Sequence, residues 1–195
     1  MHGLFNRALQ CFLSDTYGPA TWEKIAAGAD IHPEGFEAML LYDDATTQAV
    51  LRSAAGVLDK PAEALLEDMG HYLVAHPARA GLRRLLRFGG ADLEGFLASL
   101  DDLPARARLA LPDMDMPCLA IREHGGGAYE LEVRHRQPGL AHVVLGALRA
   151  MADDYGALAS ADLTARPGGA TIAIQVFTLS HARGRDFALT AALER

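Results

Sequence analysis

The side chains best suited to bind a metal or a cofactor are the eight histidines and two cysteines. Cys11 and Cys118 are far apart and match neither a zinc motif nor a dithiol redox motif, so we expect both to be buried as small hydrophobic groups. The sequence contains no Cys-x-x-Cys-His segment, which excludes covalent attachment of a c-type haem. It also lacks a phosphate-binding glycine loop and a nucleophile–base pattern. We therefore predict that the protein is not an enzyme.

Composition restricts the partners and the location of the protein. A formal net charge of −7 argues against binding to nucleic acid. No apolar run approaches the roughly 18–20 residues that cross a bilayer, so we expect no membrane span. Residues 1–7 lack the features of a signal peptide. We expect a cytoplasmic protein whose 195 residues, half of them hydrophobic, form a single domain.

The elements that must position any site divide the chain into a helical half and a half with a sheet. Apolar residues spaced three and four apart predict helices at 4–17, 22–27, 44–58, 60–75, 78–87 and 93–100. Alternating residues predict strands at 118–124, 129–135, 170–179 and 186–193, with a crossing helix at 139–155. The fold class predicted is α+β, with a helical lobe at about 1–60 and a lobe of helices and sheet at about 61–195.

Polar residues support the predicted helices. Thr21 is expected to cap the helix at 22–27. The helix at 78–87 is expected to carry a row of outward arginines, which is either a solvated face or a docking surface for an acidic partner. The row consists of Arg79, Arg83, Arg84 and Arg87.

A series of short motifs resembles the H-NOX (haem nitric oxide/oxygen binding) family. Residues 1–6, Met-His-Gly-Leu-Phe-Asn, are similar to the family opening Met-x-Gly-x-x-Asn, and residues 17–25 to its Tyr-Gly-x-x-x-Trp-x-x-Ile segment. Tyr-Asp-Asp at 42–44 and Met-Gly-His-Tyr-Leu at 69–73 resemble its Tyr-x-Asp and Phe-Gly-x-x-Phe segments. The chain is identified as a member of this family. The resemblance implies helices packed against a four-stranded antiparallel sheet, with b-type haem between the lobes.

The chain departs from the family at the residue that would ligate iron. The family segment reads Leu-Asp-x-Leu-His, and the matching residues 100–104 end in Pro104. Proline has no group that binds a metal. It suits the first turn of a helix, with Asp101 or Asp102 as the cap. The local fold is therefore expected to survive without the iron ligand.

A second departure affects the residues that would hold the haem propionates. The family clamp is Tyr-x-Ser-x-Arg, and the matching positions hold Val133, His135 and Gln137. The bidentate arginine is absent. On a continuous strand, Arg134 and Arg136 would point to the face opposite His135. The joint loss of ligand and clamp indicates a pocket no longer built for five-coordinate haem.

The resemblance also implies which other residues face the pocket. Its expected lining includes four apolar side chains: Leu4, Phe5, Leu73 and Val143. His2, on the distal side, is our first candidate for an axial metal ligand, and His135 is the second; each is otherwise a plain surface or strand histidine. His71 follows Gly70 and is expected to turn outward. Tyr72 and Cys11 could ligate iron in principle, but nothing singles either of them out.

These observations lead to two functional hypotheses. The first is a stand-alone sensor or ligand-binding module with an altered pocket, which signals through a partner protein. Its ligand is haem b, with nitric oxide or oxygen as the gas, or an unknown hydrophobic or tetrapyrrole molecule. The alternative is a haem-free protein-interaction module with the same fold. No kinase, cyclase or methyl-accepting region is expected within 195 residues.

Overall fold

A computed structural model describes residues 1–110, 115–137 and 139–187. Within these ranges the chain forms eight α-helices, two short 3-10 turns and one four-stranded sheet, which confirms the α+β class. The helices are α1 (Gly3–Tyr17), α2 (Pro19–Gly28), α3 (Asp44–Leu58), α4 (Ala62–Ala75), α5 (Ala80–Arg87), α6 (Leu93–Ala98), α7 (Leu103–Ala110) and α8 (Leu140–Tyr155). The strands are β1 (Cys118–Gly125), β2 (Ala128–Arg134), β3 (Leu158–Arg166) and β4 (Gly169–Thr178). No described helix is long and apolar enough to cross a membrane.

The first two helices meet at a glycine–proline junction. Gly18 ends α1 with φ of 88°, a backbone conformation that glycine adopts without steric cost. Pro19 then starts α2, three residues earlier than predicted. The prediction that Thr21 caps this helix is wrong, because Thr21 lies inside α2 and its hydroxyl donates to the carbonyl of Tyr17 at 2.8 Å.

The sheet is antiparallel throughout, in the order β1-β2-β4-β3. Its fourth strand is β3, whereas the sequence predicted a strand at 186–193. Residues 186 and 187 lie outside any strand, and 188–193 lie outside the described residues. β3 does alternate between Ala159, Ala161 and Leu163 on one face and polar residues on the other. Alanine gives a weak strand signal, so the alternation was missed.

Two hydrophobic clusters meet at α4 and α8. The N-terminal cluster contains Phe5, Leu9 and Phe12 from α1 together with Met69 and Val143, while Leu145, Leu148 and Met151 of α8 belong to the cluster beneath the sheet. The two helices cross at glycines. A Cβ atom at Gly70 would overlap the carbonyl of Val143, and one at Gly146 would overlap the carbonyl of Glu67. The close crossing fixes the start of α8 against the N-terminal helices.

The segment after β4 returns across the end of α8. The N–H groups of His181 and Arg185 donate to the carbonyls of Gly156 and Asp154, both at 2.9 Å. The Asp154 side chain is 1% exposed, and its carboxylate lies 2.7 Å from Nε of Arg83. Nε of Arg87 and Nε of Arg185 each lie 3.8 Å from the same carboxylate.

This arrangement corrects the prediction of an outward arginine row on α5. Arg83 and Arg87 turn inward to Asp154, and Arg79 lies over the ring of Tyr72. Arg84 is the exposed member of the four. A buried carboxylate far away in the sequence attracts the inward arginines, and helical periodicity alone contains no information about it.

Candidate ligand site at the junction of the lobes

Pro104 is buried at the second position of α7. A 3-10 turn at Leu100–Asp102 leads directly into this helix, so proline is placed where a missing N–H breaks no helical hydrogen bond. Both expected cap residues, Asp101 and Asp102, lie inside this 3-10 turn, and the carboxylate of Asp101 accepts the N–H of Ile121 in β1 at 2.6 Å. The expected position of the iron ligand is thus a buried apolar residue.

Three buried apolar residues lie within one or two helical turns of Pro104 along the chain. Leu97 and Leu100 are 1% and 2% exposed, and Ala107 is buried on the next turn of α7. None of these side chains has a lone pair for iron.

The expected clamp residue His135 is engaged within the chain. Its Nδ1 accepts the N–H of Gln137 at 3.0 Å, while Nε2 lies 3.2 Å from the carbonyl and 3.4 Å from the carboxylate of Asp115. With Nδ1 as the acceptor, the neutral ring carries its proton on Nε2, which donates to Asp115. Both nitrogens are therefore occupied, and the side chain is 6% exposed.

Arg136 turns to the same carboxylate, with Nε 2.8 Å from Asp115. The prediction that Arg136 and His135 face opposite sides is therefore wrong. The reason is that β2 ends at Arg134, so residues 135–137 follow a turn instead of the alternation of a strand. Val133 remains in the strand, buried and directed into the core beneath the sheet.

A second carboxylate approaches the same turn from α3. Asp44, the first residue of α3, accepts a hydrogen bond from the N-terminal ammonium of Met1 at 2.7 Å. That ammonium, the charge of Arg136 and a hydrogen bond from Gln137 lower the pKa of Asp44 despite an opposing effect of burial. Asp44 and Asp115 thus place two carboxylates of the chain itself around the residues expected to hold propionates.

His2 has a structural role at the start of α1. It is 8% exposed, and its Nδ1 accepts the N–H of Leu4 at 3.1 Å as the helix cap. This bond puts the proton of a neutral ring on Nε2, where a metal would need a lone pair. Coordination through Nε2 would require the other tautomer and would remove the cap, at a cost of about 0.5–2 kcal/mol.

The expected lining residues are brought together in part. Phe5 and Val143 are buried in the N-terminal cluster and Leu73 packs against it, whereas Leu4 is half-buried and lies outside that cluster. His71 is exposed, as expected. The Tyr72 hydroxyl donates to Asp15, and burial followed by this hydrogen bond raises the pKa of Tyr72.

The two cysteines are not both buried, contrary to expectation. Cys11 is partly buried on α1, and Cys118 is exposed at the start of β1. Because β1 is an edge strand, its first residue has a neighbouring strand on one side only. Among the described residues, no group of three histidine, cysteine or acidic side chains could hold a metal ion.

A cleft of about 390 Å³ lies beside the clamp positions. It is formed by the turn after β2, the first turn of α8 and the hairpin between β3 and β4. Val133, His135 and Gln137 contribute to its wall together with two basic residues that sequence reasoning did not select, Arg166 and His142. The Arg-Pro-Gly-Gly sequence at 166–169 marks a hairpin turn, but it does not show that the turn faces α8.

The residues at the junction do not fit a haem held by an axial histidine and a propionate clamp. Pro104 offers no ligand, and His2 and His135 direct Nδ1 lone pairs at backbone N–H groups. The carboxylate of Asp115 already occupies His135 and Arg136, and it would repel a propionate at the same place.

Comparisons with known proteins agree with the motifs. The Haem-NO-binding family model matches residues 2–160. The chain is 32% identical over 93 residues to guanylate cyclase soluble subunit beta-2 of Rattus norvegicus, covering 48% of this chain and 14% of that protein. It is 33% identical over 109 residues to soluble guanylate cyclase gcy-35 of Caenorhabditis elegans, covering 53% of this chain and 15% of that protein. The chain thus spans about a seventh of the length of these two relatives.

Solved structures show the same fold. The unliganded Fe(II) H-NOX protein from K. algicida superimposes with a TM-score of 0.75 at 15% identity, over 90% of this chain and 96% of that one. The four-stranded sheet and the helices packed against it are the architecture expected from the motifs. The match over residues 2–160 extends from the first turn of α1 into β3, and on this basis the chain belongs to the Haem-NO-binding family.

Proposed function

We propose that this chain is a non-catalytic signalling module of the Haem-NO-binding family whose fold is complete without haem and whose output is contact with a partner protein. The observation that carries the proposal is the carboxylate of Asp115, which contacts His135 at a clamp position and Arg136 next to it. A haem-dependent module would need these groups for the cofactor. Here they stabilise the chain itself.

Energetic considerations support the haem-free form. A propionate that displaced the Asp115 carboxylate would have to break the ion pair of that carboxylate with Arg136 and its 3.4 Å contact with Nε2 of His135. The 3.2 Å hydrogen bond of His135 is with the backbone carbonyl of Asp115 and would remain. The charge-assisted bond between Arg136 and Asp115 would be worth about 1.5–3 kcal/mol in a protected site, and it is worth less at a carboxylate that is half exposed, as Asp115 is. Without an axial bond to offset this cost, haem has only apolar contact to hold it.

Atypical haem binding through His2 is the second candidate. It is favoured by the burial of His2 next to the N-terminal cluster that contains Phe5. In that case nitric oxide or oxygen would be the natural gas ligand. Binding of iron by His2 would remove the cap of α1, so this candidate predicts that haem is retained only weakly.

A partner protein supplies the output in either case. The curated relatives are guanylate cyclases, and the chain spans about a seventh of the length of the two described above. This supports a module that passes its signal to another protein or domain, in a cytoplasmic setting. The α5 arginines give little support for an acidic docking surface, since two of them are committed to Asp154.

The test is the Soret band of the purified protein titrated with haemin. We expect the spectrum of free haemin, unchanged by the protein. A shifted band in the wild type that disappears in His2→Ala would refute the proposal in favour of the second candidate. A shifted band in the wild type that persists in His2→Ala would also refute the haem-free module.

Pro104→His distinguishes a lost ligand from a lost pocket. We expect no shifted band in this variant, because Asp115 still contacts His135 at the clamp and the neighbouring Arg136. A new band in Pro104→His alone would mean that space for a porphyrin persists and that the chain lost only its ligand. That outcome would contradict the proposal that the fold is complete without haem.

A further inference from the structure

The two edges of the sheet differ in how they are covered. β1 packs against the 3-10 turn at Leu100–Asp102 and against α7, and the N–H of Ile121 donates to the carboxylate of Asp101. At the opposite edge, β3 pairs with β4 on one side only, and most of its residues are exposed. A strand in this position can present a row of unpaired backbone groups to another strand.

The register of the sheet shows which backbone groups of β3 lie along this open edge. The N–H of Val176 in β4 donates to the carbonyl of Gly127 at 2.8 Å, on the β2 side of the strand. Backbone groups alternate in direction along an antiparallel strand, so every second residue from Gln175 back to Gly169 directs its groups to β3. The β3 residues opposite them direct their groups to β4, and they are Ser160, Asp162, Thr164 and Arg166. The residues that direct their groups outward are therefore Ala159, Ala161, Leu163 and Ala165.

One contact agrees with this direction, and it covers only part of the edge. The carbonyl of Ala161 accepts a hydrogen bond from Nη2 of Arg149 in α8 at 2.7 Å. Further along the strand, within the part of the chain that the structure describes, no side chain or loop bonds to the backbone groups of Leu163 and Ala165. The open section of the edge is therefore residues 162–166.

Two charged side chains flank this open section. Asp162 and Arg166 are exposed, and neither forms an ion pair with another described residue. Side chains alternate between the faces of a strand, so both lie on the outer face of the sheet, with Thr164 midway between them. If β3 of a second copy pairs antiparallel about Thr164, Asp162 of each copy lies directly opposite Arg166 of the other. Opposite charges at such positions stabilise the pairing of strands.

The backbone fits the same register. Leu163 of each copy lies opposite Ala165 of the other, and each of these two pairs exchanges both of its N–H and C=O groups. The next outward residue, Ala161, would lie opposite Pro167, which has no N–H to donate. The pairing can end there without loss, because the Ala161 carbonyl already accepts from Arg149.

We propose that two copies of this chain associate by antiparallel pairing of β3 about Thr164, which joins their sheets into one. The occupant of the edge is a second copy because its charges are self-complementary: Asp162 and Arg166 exchange places across a two-fold axis. Only residues 162–166 of each copy pair, so the dimer is reversible and of micromolar or weaker affinity. The inference goes beyond the proposed function, since it uses neither the clamp positions nor a different protein.

Sedimentation velocity of the full chain, from micromolar to millimolar concentration, tests the proposal. We expect the sedimentation coefficient to rise to that of a dimer. Arg166→Asp should weaken the dimer at least about tenfold, because both ion pairs across the axis become repulsive. Asp162→Arg should act in the same way. The double variant Asp162→Arg/Arg166→Asp should restore the dimer, since each charge again lies opposite its complement.

Two controls make the result specific, and circular dichroism verifies that each variant is folded. Arg52→Asp reverses an exposed charge on α3 and should leave the dimer unchanged. Thr164→Cys should form an intermolecular disulfide under mild oxidation beyond any formed by the wild type, because opposite residues of such a pair have Cα atoms about 4.5 Å apart. Ser160→Cys, on the same face, should not.

Three results would overturn the proposal. The first is a chain that stays monomeric at every concentration, which would mean that the edge is free or is covered by another segment or another protein. The second is a dimer that Arg166→Asp and Arg52→Asp affect alike, or that the double variant fails to restore. The third is equal crosslinking of Thr164→Cys and Ser160→Cys, which would exclude a two-fold axis at Thr164.

Discussion

Asp154→Asn would remove the negative charge at the centre of three arginines while keeping the size of the side chain. The carboxylate is 1% exposed, and the side chains of Arg83 and Arg87 are 14% and 13% exposed, so water cannot easily replace the lost partner. Arg185 is half exposed and contributes less. The variant thus leaves two largely buried guanidinium groups close together without a counter-charge.

The expected loss of stability follows from these contacts. The 2.7 Å bond between Arg83 and Asp154 is charge-assisted and worth about 1.5–3 kcal/mol. Removing one partner of a buried ion pair costs about 3–5 kcal/mol in total, because the remaining charge stays desolvated. Asparagine keeps one oxygen that can accept from Arg83. We therefore expect a decrease of about 3 kcal/mol in the free energy of unfolding, at the lower end of that range.

Urea unfolding followed by circular dichroism measures this decrease as a shift in midpoint at constant slope. For a chain of this length the same loss corresponds to a fall in Tm of about 6–12 °C. The control is Asp153→Asn, an exposed neighbour on the same helix, which should change stability by less than about 0.5 kcal/mol. A loss below about 1 kcal/mol for Asp154→Asn would refute the reasoning, since it would mean that the arginines find other partners at no cost.

Two other perturbations probe the helix crossing and the alkaline limit of stability. Gly146→Ala should destabilise the protein by about 1–3 kcal/mol, because the new Cβ overlaps the Glu67 carbonyl, whereas Gly56→Ala on α3 has open space and should stabilise by about 0.5–1 kcal/mol in the same urea assay. Equal effects of the two would contradict the close crossing. Burial raises the pKa of Tyr155 to about 12, against about 10 in an unfolded chain. Burial of the neutral Tyr155 hydroxyl therefore contributes fully to the free energy of unfolding below pH 10, and this contribution decreases as the pH rises towards 12. Tm should fall over that pH interval, and it should fall less in Tyr155→Phe.

The helices were the part of the fold that the sequence predicted best. The bounds of α3 agree at both ends, because apolar periodicity and the acidic start of the helix are local signals. β3 was missed since its inward residues are mostly alanine. The inward turn of Arg83 could not be predicted, because it depends on a carboxylate 71 residues away in the sequence.

At the candidate site, the motifs predicted the location but not the contacts. The positions of Pro104 and His135 follow from the ordered resemblance. The partner of His135 does not, since Asp115 lies in a different segment and no local pattern links the two. The cleft beside the clamp positions likewise exists only after the β3–β4 hairpin packs beside α8. These contacts form only in the tertiary structure, and the hydrophobic periodicity of the sequence contains no information about them.

The end of β2 at Arg134 has a consequence for protein engineering. The direction of the side chains at 135 and 137 depends on a turn, and that turn is held by Asp115 through both His135 and Arg136. Grafting tyrosine, serine and arginine onto positions 133, 135 and 137 would therefore change the functional groups without changing the backbone that aims them. A successful graft must transplant the turn together with the segment that carries Asp115. At this site, restoring the clamp therefore requires the exchange of two loops together, and substitution of single residues is not sufficient.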